Sequence, residues 1–519
     1  MLLHETLENS ARNHPDKVAL VCGPTRYTYR QIDDWANRFA CYLRSRGVVR
    51  GDRVATFLDN GIETVVAIYA ALKCGAVFMP INPLTRKDKL AYMLNDSRAS
   101  VLVAHDILVS EYEDALAQSK SVHTCVVAGS SPDAGESVAR LGARGLHYDL
   151  AVEQFPAGSK LAAVYPETID QDLASIIYTS GSTGDPKGVM LTHLNMLSAD
   201  RSISTYLGLR HDDIIICVLP LAFDYGLYQV LMSVLVGATV VMETSFAFPV
   251  KVLETMVREK VTVFPGVPTV FSMLMNLKTL PSYDLSSLRS ITNTAAALSE
   301  EHIRQLRALF PHAQLFSMYG LTECKRVTYL PPDQLDVRPT SVGRGMPNEE
   351  VWLVDEEGKR LPYGSTGELV IRGSNVMRGY WEKPEATRER LRPGPNAGEM
   401  VLYSGDLFRT DAEGWLYFVA RRDDIIKSRG EKVSPREVEN VLYSLEGVLE
   451  AAVIGVPDPL LGQSVKAFLV LKSGASYTER EVIKYCLSKL ESFMAPKHVQ
   501  FVDSLPKTNT GKIKKTGLS

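Results

Sequence analysis

The sequence predicts an α/β protein: a large N-terminal body of βα-layered subdomains plus a β-rich subdomain, with a small mobile α+β C-terminal domain. Three observations predict it. Segments with a helical apolar period alternate with short β-branched runs from residue 29 to about 316. From Val351 onward short strands dominate (VWLVD, GELVIRG, WLYFVA), separated by Gly-containing turns. Near 421–424 the character changes again, and the tail of about 95 residues beyond is large enough to fold alone.

Taken in order, 29–46 places Ile32, Trp35, Ala36, Phe39 and Leu43 on one helical face. Thr28 and Gln31 suit a capping box at its start, and Gly47 suits its end. A strand at 53–58, a helix at 62–73, a strand at 76–79, a helix at 88–96 and a strand at 100–104 follow. Such alternation implies parallel sheet covered by helices. Between 128 and 165 Gly, Ser, Pro and mixed charge predict a long irregular surface connection. The alternation resumes with ASIIY at 174–178. In the tail, helices are expected at 434–445 and 478–490, and strands at 450–456 and 464–471.

The length of 519 residues allows about three structural units. Lysine plus arginine (57) nearly balance aspartate plus glutamate (60), so no long basic track for a nucleic acid is indicated. Seven scattered cysteines, odd in number and never spaced CxxC, argue against a disulfide framework or structural zinc. They suit a reducing, cytoplasmic setting. The start, MLLHE, turns polar at once, so no signal peptide is expected. The uncharged stretch 225–242 contains Gln229, Ser233, Gly237 and Thr239, and predicts a helix, a Gly237 stop and a strand, not a membrane span.

The segment YTSGSTGDPKG at 178–188 carries the most chemistry. It follows a strand and gathers Gly181, Gly184, Gly188, the hydroxyls of Thr179, Ser180, Ser182 and Thr183, and Lys187. Glycines let backbone N–H groups turn toward an anion, hydroxyls add donors, and lysine adds mobile positive charge. It is not a Walker loop, since GxxxxGK[ST] is absent. The bland alternative is a flexible Gly/Ser turn.

This loop resembles the signature of the adenylate-forming (AMP-binding) superfamily: acyl-CoA synthetases, peptide-synthetase adenylation domains and luciferases. Four further segments resemble the family's motifs in order: YGLTE at 319–323, SGD at 404–406, RRDDIIKSRG at 421–430 and LPKTNTGKI at 505–513. AVFMPINP at 76–83 also follows the family plan. The FDYGL segment after Pro220 is similar to stand-alone bacterial acyl-CoA ligases of the exosortase-associated type.

The resemblance implies two half-reactions: carboxylate plus ATP gives acyl-AMP and pyrophosphate, then a thiol displaces AMP. Two anions must meet in the first, so positioning and electrostatic stabilisation dominate. It implies an AMP-binding domain at 1–421 and a lid domain at 422–519, with ATP, Mg²⁺ and coenzyme A, or a carrier-protein phosphopantetheine, as cofactors. By analogy Thr179–Lys187 surrounds the β- and γ-phosphates, Thr322 donates to phosphate and Glu323 ligates Mg²⁺. Tyr319 stacks on adenine, Asp406 accepts both ribose hydroxyls and Arg421 contacts ribose or phosphate. Lys512 is the catalytic lysine, between substrate carboxylate and α-phosphate. Asp423 is the hinge, whose rotation would withdraw Lys512 and bring 427–431 to the thiol channel. Alone, most of these residues would pass for turn, core or solvated groups, and Lys507, Lys512, Lys514 and Lys515 for a basic tail.

The acyl pocket departs from the family. Phe223 stands where many acyl-CoA ligases have histidine, and Asp224 aligns with the ammonium-binding aspartate of amino-acid adenylation domains. Ala295-Ala296 replaces a common Gly-Gly, and the extra methyls are expected to narrow the channel. Tyr228, Val267, Met318, Arg326 and Val327 fall in the pocket wall. Asp224 and Arg326 either pair with each other or clamp opposite ends of a polar acid. The expected substrate is a small, polar carboxylic acid passed to coenzyme A. The alternatives are an amino-acid or hydroxy-acid ligase loading a carrier protein, and an inactive binding or scaffold relative.

Overall fold

The computed structural model describes residues 1–129, 134–161, 168–179, 186–428, 431–458, 462–508, 513–515 and 517–518. Local signals set the helix ends. The capping box of Thr28 and Gln31 opens the helix Tyr29–Ser45, and Gly47 leaves it at φ +84°. The helix Ile62–Lys73 buries every residue but Glu63, which explains why its sequence is apolar all round. Asp224–Val236 is a helix, Gly237 ends it at φ +74°, and Thr239–Met242 is a strand, as the uncharged stretch predicts. Among the described residues no helix is long and apolar enough to cross a membrane.

Two large sheets carry the body. Among the described residues one has eight strands, with Arg53–Phe57, Val77–Pro80, Val101–His105 and Thr124–Ala128 in parallel, as the alternation predicts. Its other side joins Leu173–Thr179 and Lys187–Thr192 as an antiparallel pair, with Gly379–Tyr380 along its edge. The second has, among the described residues, nine strands around a parallel centre that ends at Gln314–Tyr319. Buried side chains beneath both sheets form a continuous apolar core.

The connection expected to be irregular at 128–165 is so only in part: among its described residues 154–161 carries no helix or strand, but 134–153 does. It holds the helix Ala134–Arg140, the strand Gly145–His147 and the helix Tyr148–Glu153. The strand adds in parallel to Thr124–Ala128, and Tyr148 packs against Phe39. Elements this short give no full helical period, so edge pairing and a buried aromatic decide them.

A third, antiparallel sheet contains Glu349–Val354, Thr366–Gly373, Met400–Thr410 and Leu416–Arg421. The smaller C-terminal domain is built on a fourth sheet, in which Val448–Asp458 and Gly462–Leu471 pair antiparallel. Helices Pro435–Tyr443 and Glu479–Leu487 cover it around a separate core including Ile426, Val438, Leu442, Val453 and Val482.

Candidate active site

The strand Gln314–Tyr319 delivers the central motif to the end of the parallel sheet, where the crevice of an open α/β sheet lies. The chain then reverses sharply. A Cβ at Gly320 would overlap the carbonyl of Lys325, so only glycine fits there. Leu321 O accepts the amides of Cys324 and Lys325, and Val327 N returns to Tyr319 O at 2.9 Å. Asn375 Nδ2 braces the reversal from behind, donating to Cys324 O at 2.7 Å and Arg326 O at 3.2 Å.

Three remote segments meet on this turn. Tyr380, on the short edge strand, donates its hydroxyl to Glu323 Oε1 at 2.7 Å. The same ring lies under the Lys187 ammonium, 5.6 Å from Nζ to centroid. Lys187 and Glu323, 136 positions apart by number, thus address one aromatic ring. Thr179, opposite Lys187 in the strand pair, offers its hydroxyl to Lys187 O at 3.4 Å. Ser180, Gly181, Ser182, Thr183 and Gly184 lie outside the described residues.

Tyr319 and Asp406 form the second meeting. The Tyr319 hydroxyl donates to Asp406 Oδ2 at 2.6 Å, and its partly exposed ring lies against Phe408 and Phe418. Gly405, at φ +73°, aims the aspartate, and its amide donates to Glu368 Oε1. Burial pushes the Asp406 carboxyl up, while the Tyr319 hydroxyl, Arg421 and Arg390 pull it back. Arg421 stands opposite Asp406 in the strand register and is exposed. Asp423 sits in a 3-10 turn, Arg422–Asp424, with its side chain outside the described residues. Arg422 reaches Glu368 at 3.5 Å.

Thr322 is partly exposed beside Glu323. Lys512 lies outside the described residues, but the chain on both sides of it is anchored. Lys507 pairs with Glu450 and Lys515 with Glu439, each at 2.6 Å. The tail is therefore not a merely solvated basic run.

The residues expected in the acyl pocket are more unusual. Phe223 is the N-cap of the helix that Asp224 opens. Tyr228 is buried, with its hydroxyl on Met196 O, and Met318 accepts the Tyr206 hydroxyl on sulfur at 2.9 Å. Val267 and Val327 are buried. Among the described residues no ion pair joins Asp224 and Arg326; Arg326 lies instead over the Tyr225 ring at 4.9 Å. Lys325, which the sequence argument passes over, is buried above Tyr228, and burial lowers its ammonium to about 8. Ala295 adopts φ +73°, a left-handed conformation that costs a non-glycine residue on the order of 1 kcal/mol. Ala295 packs against the core, while Ala296 is exposed.

Tyr380 and Lys325 are the residues sequence reasoning misses. Tyr380 sits on a two-residue strand with no motif of its own. Lys325 did leave a signal: two adjacent cations follow YGLTEC, just before the strand Thr328–Leu330.

The sequence pattern of the AMP-binding enzyme family matches residues 7–381, and that of the AMP-binding enzyme C-terminal domain matches 437–512. A long-chain-fatty-acid–CoA ligase of Bacillus subtilis (strain 168) is 33% identical, with 98% of this chain and 93% of the relative covered. The crystal structure of the anthranilate CoA ligase AuaEII in complex with anthranoyl-AMP superposes with a TM-score of 0.89 at 30% identity, covering 99% of this chain and 95% of that one. ATP-bound MatB from Rhodopseudomonas palustris gives a TM-score of 0.86 at 29% identity, covering 99% and 98%. Family patterns, relatives and structural neighbours agree: the chain belongs to the AMP-binding enzyme family, on its acyl-CoA ligase branch.

Proposed function

We propose that the protein activates a small, polar carboxylic acid with ATP and passes the acyl group from acyl-AMP to coenzyme A. One observation carries this reading: Lys187, Tyr380 and Glu323 converge on the turn that also presents Tyr319 to Asp406. A phosphate-seeking cation, a carboxylate and a diol-seeking carboxylate then lie around one strand end.

In this reading the segment from Thr179 through Ser180, Gly181, Ser182, Thr183 and Gly184 to Lys187 holds the β- and γ-phosphates, with Thr322 adding a donor. Tyr319 takes the adenine on its partly exposed ring. Asp406 keeps Oδ1 for the ribose, since Oδ2 accepts from Tyr319, and Arg421 contacts ribose or phosphate. Glu323 fits Mg²⁺: Tyr380 occupies Oε1, which leaves one carboxylate oxygen, the sparse protein donation this ion takes alongside phosphate and water. Bound there, Mg²⁺ supplies neutralising charge for the phosphates. Lys512 bridges the acid carboxylate and the α-phosphate, offsetting both charges as the oxygen attacks phosphorus and pyrophosphate leaves. Residues 1–421 form the AMP-binding domain and 422–519 the lid that turns at Asp423, so the thiol meets the adenylate after Lys512 withdraws.

A small polar acid is favoured over a fatty chain because Asp224, Lys325 and Arg326, at or beside the positions expected in the acyl pocket, are all buried and feel one another's charge. A hydrocarbon packed on them would leave charges without water or partner. The seven cysteines are free, which supports a reducing, cytoplasmic setting. The test is acid-dependent ATP–pyrophosphate exchange across a panel of acids, followed by thioester formation with coenzyme A or with a carrier protein. Exchange with small polar acids and capture by coenzyme A are expected. Exchange with long-chain acids alone would overturn the substrate class, and capture by the carrier protein alone would overturn the acceptor.

A further inference from the structure

Lys325 and Arg326 are only 3% and 4% exposed. Among the described residues Lys325 Nζ has no hydrogen-bond partner and neither has Arg326 Nε, although the Tyr206 hydroxyl is in hydrogen-bonding contact with the Arg326 side chain. Each cation lies over a ring of the helix Asp224–Val236, Lys325 over Tyr228 at 5.7 Å and Arg326 over Tyr225 at 4.9 Å. A ring face compensates a desolvated cation only in part. Among the described residues neither cation has a carboxylate within ion-pair distance. Asp224, 9% exposed at the start of that helix, and Glu323 are the carboxylates whose fields reach Lys325, and Glu323 is held by Tyr380 on the nucleotide side.

The same protein treats another buried lysine very differently. Lys73, 8% exposed, is clasped by Glu8 at 2.7 Å and Asp33 at 2.9 Å. Where a buried cation serves the fold, carboxylates are supplied. At 325–326 they are not, and the backbone is held there at some expense: Lys325 has φ +69°, and Asn375 fixes the carbonyls on both sides of it. Unfavourable backbone and buried charge without a carboxylate partner at one turn are features of a binding site.

We infer that the acid this protein activates carries a second anionic group, in the plainest case a short dicarboxylic acid, whose distal carboxylate is bound by Lys325 and Arg326. This rests on the ligase reading above and narrows its substrate. One carboxylate is adenylated; the other stays ionised and supplies the acceptor oxygens that Lys325 Nζ and Arg326 Nε lack. Asp224, beside the cations, then leaves the pair with room for one further negative charge.

The test compares ATP–pyrophosphate exchange for the series malonate to suberate against monocarboxylic acids of equal chain length, with the full-length protein. The best diacid is expected to exceed its matched monoacid by about a hundredfold in kcat/KM, the scale of charge-assisted hydrogen bonds to a buried anion. In Lys325→Met and Arg326→Met that ratio should collapse toward unity, through KM. Thermal unfolding supplies an independent measure. Both variants should melt at or above the wild-type temperature, since they remove a buried charge that has no carboxylate partner, and the diacid should raise the wild-type Tm more than theirs. If exchange prefers monoacids, the inference fails and the ligase reading stands. Variants that melt well below wild type would mark the cations as structural and overturn it. If no acid of either series supports exchange, the ligase reading itself falls, and the inference with it.

Discussion

Tyr319 and Asp406 are 87 positions apart and joined by a 2.6 Å hydrogen bond. The bond ties the parallel sheet of the body to the antiparallel sheet that carries Asp406. It also fixes which carboxylate oxygen is free, and it counters the upward pull of burial on the Asp406 carboxyl. Asp406→Asn should raise KM for ATP in the exchange reaction by about ten- to a hundredfold, the worth of a charge-assisted hydrogen bond. Tyr319→Phe keeps the ring and removes the proton donor. Its Asp406 should protonate at higher pH than wild type, so the acidic limb of the ATP KM profile should move upward. An unshifted limb, with KM unchanged in Asp406→Asn, would remove both residues from nucleotide binding.

Glu323 and Tyr380 make a similar pair at the other end of the turn. Glu323→Gln should raise the Mg²⁺ concentration for half-maximal exchange by at least about tenfold, because a hard cation loses its carboxylate. Tyr380 acts through Glu323 by holding Oε1. Tyr380→Phe should therefore shift the Mg²⁺ requirement by less, with little change in KM for the acid. Magnesium titrations of the three proteins check the ranking, and equal Mg²⁺ curves would contradict it.

What was legible in the sequence follows the range of the forces involved. The helix Ile62–Lys73 and the Thr28–Gln31 capping box are local, and their residues announce them. The motif residues Glu323, Tyr319 and Asp406 could be named from spacing and resemblance. Their meeting could not, because Tyr380 reaches Glu323 only through the pairing of Gly379–Tyr380 with Lys187–Thr192, a contact across nearly two hundred residues with no sequence signal. The segment after Ala128 failed for the same reason in reverse: its composition looks like a loop, yet Gly145–His147 finds a sheet edge. The question of Asp224 and Arg326 turned on Tyr225, whose ring takes the guanidinium that a charge count would assign to the aspartate.

Lys512 gives the sharpest kinetic contrast. Lys507 is anchored to Glu450 on the C-terminal sheet and Lys515 to Glu439 on the helix Pro435–Tyr443, so the chain on either side of position 512 belongs to that domain. Lys512→Ala should depress acid-dependent exchange by about a hundred- to a thousandfold, the range for loss of a group that stabilises transition-state charge. Thioester formation from supplied acyl-AMP should stay within a few-fold of wild type. Equal losses in both half-reactions would sink the assignment.

A final prediction concerns stability at acid pH. His193 is 1% exposed, and its Nδ1 accepts the Leu3 amide at 3.0 Å, with the His4 ring edge-on at 6.3 Å. Burial, then the neighbouring His4, pulls the His193 imidazole down to about 3; burial, then Lys73, does the same to His4. An unfolded histidine takes its proton near 6.5, so across the window from 6.5 down to about 3 the unfolded chain binds protons that the folded chain refuses. The stabilisation is complete above 6.5 and is lost as pH falls, by up to about 1.4 kcal/mol per pH unit for each histidine. His193→Asn keeps an acceptor near the Nδ1 position and removes the titration. Its Tm should fall less steeply than wild type between pH 6.5 and 4, even if it starts lower at pH 7.5. Parallel slopes for the two proteins would show that the N-terminal segment accommodates a charged imidazole, and that the Leu3 amide does not hold His193 neutral.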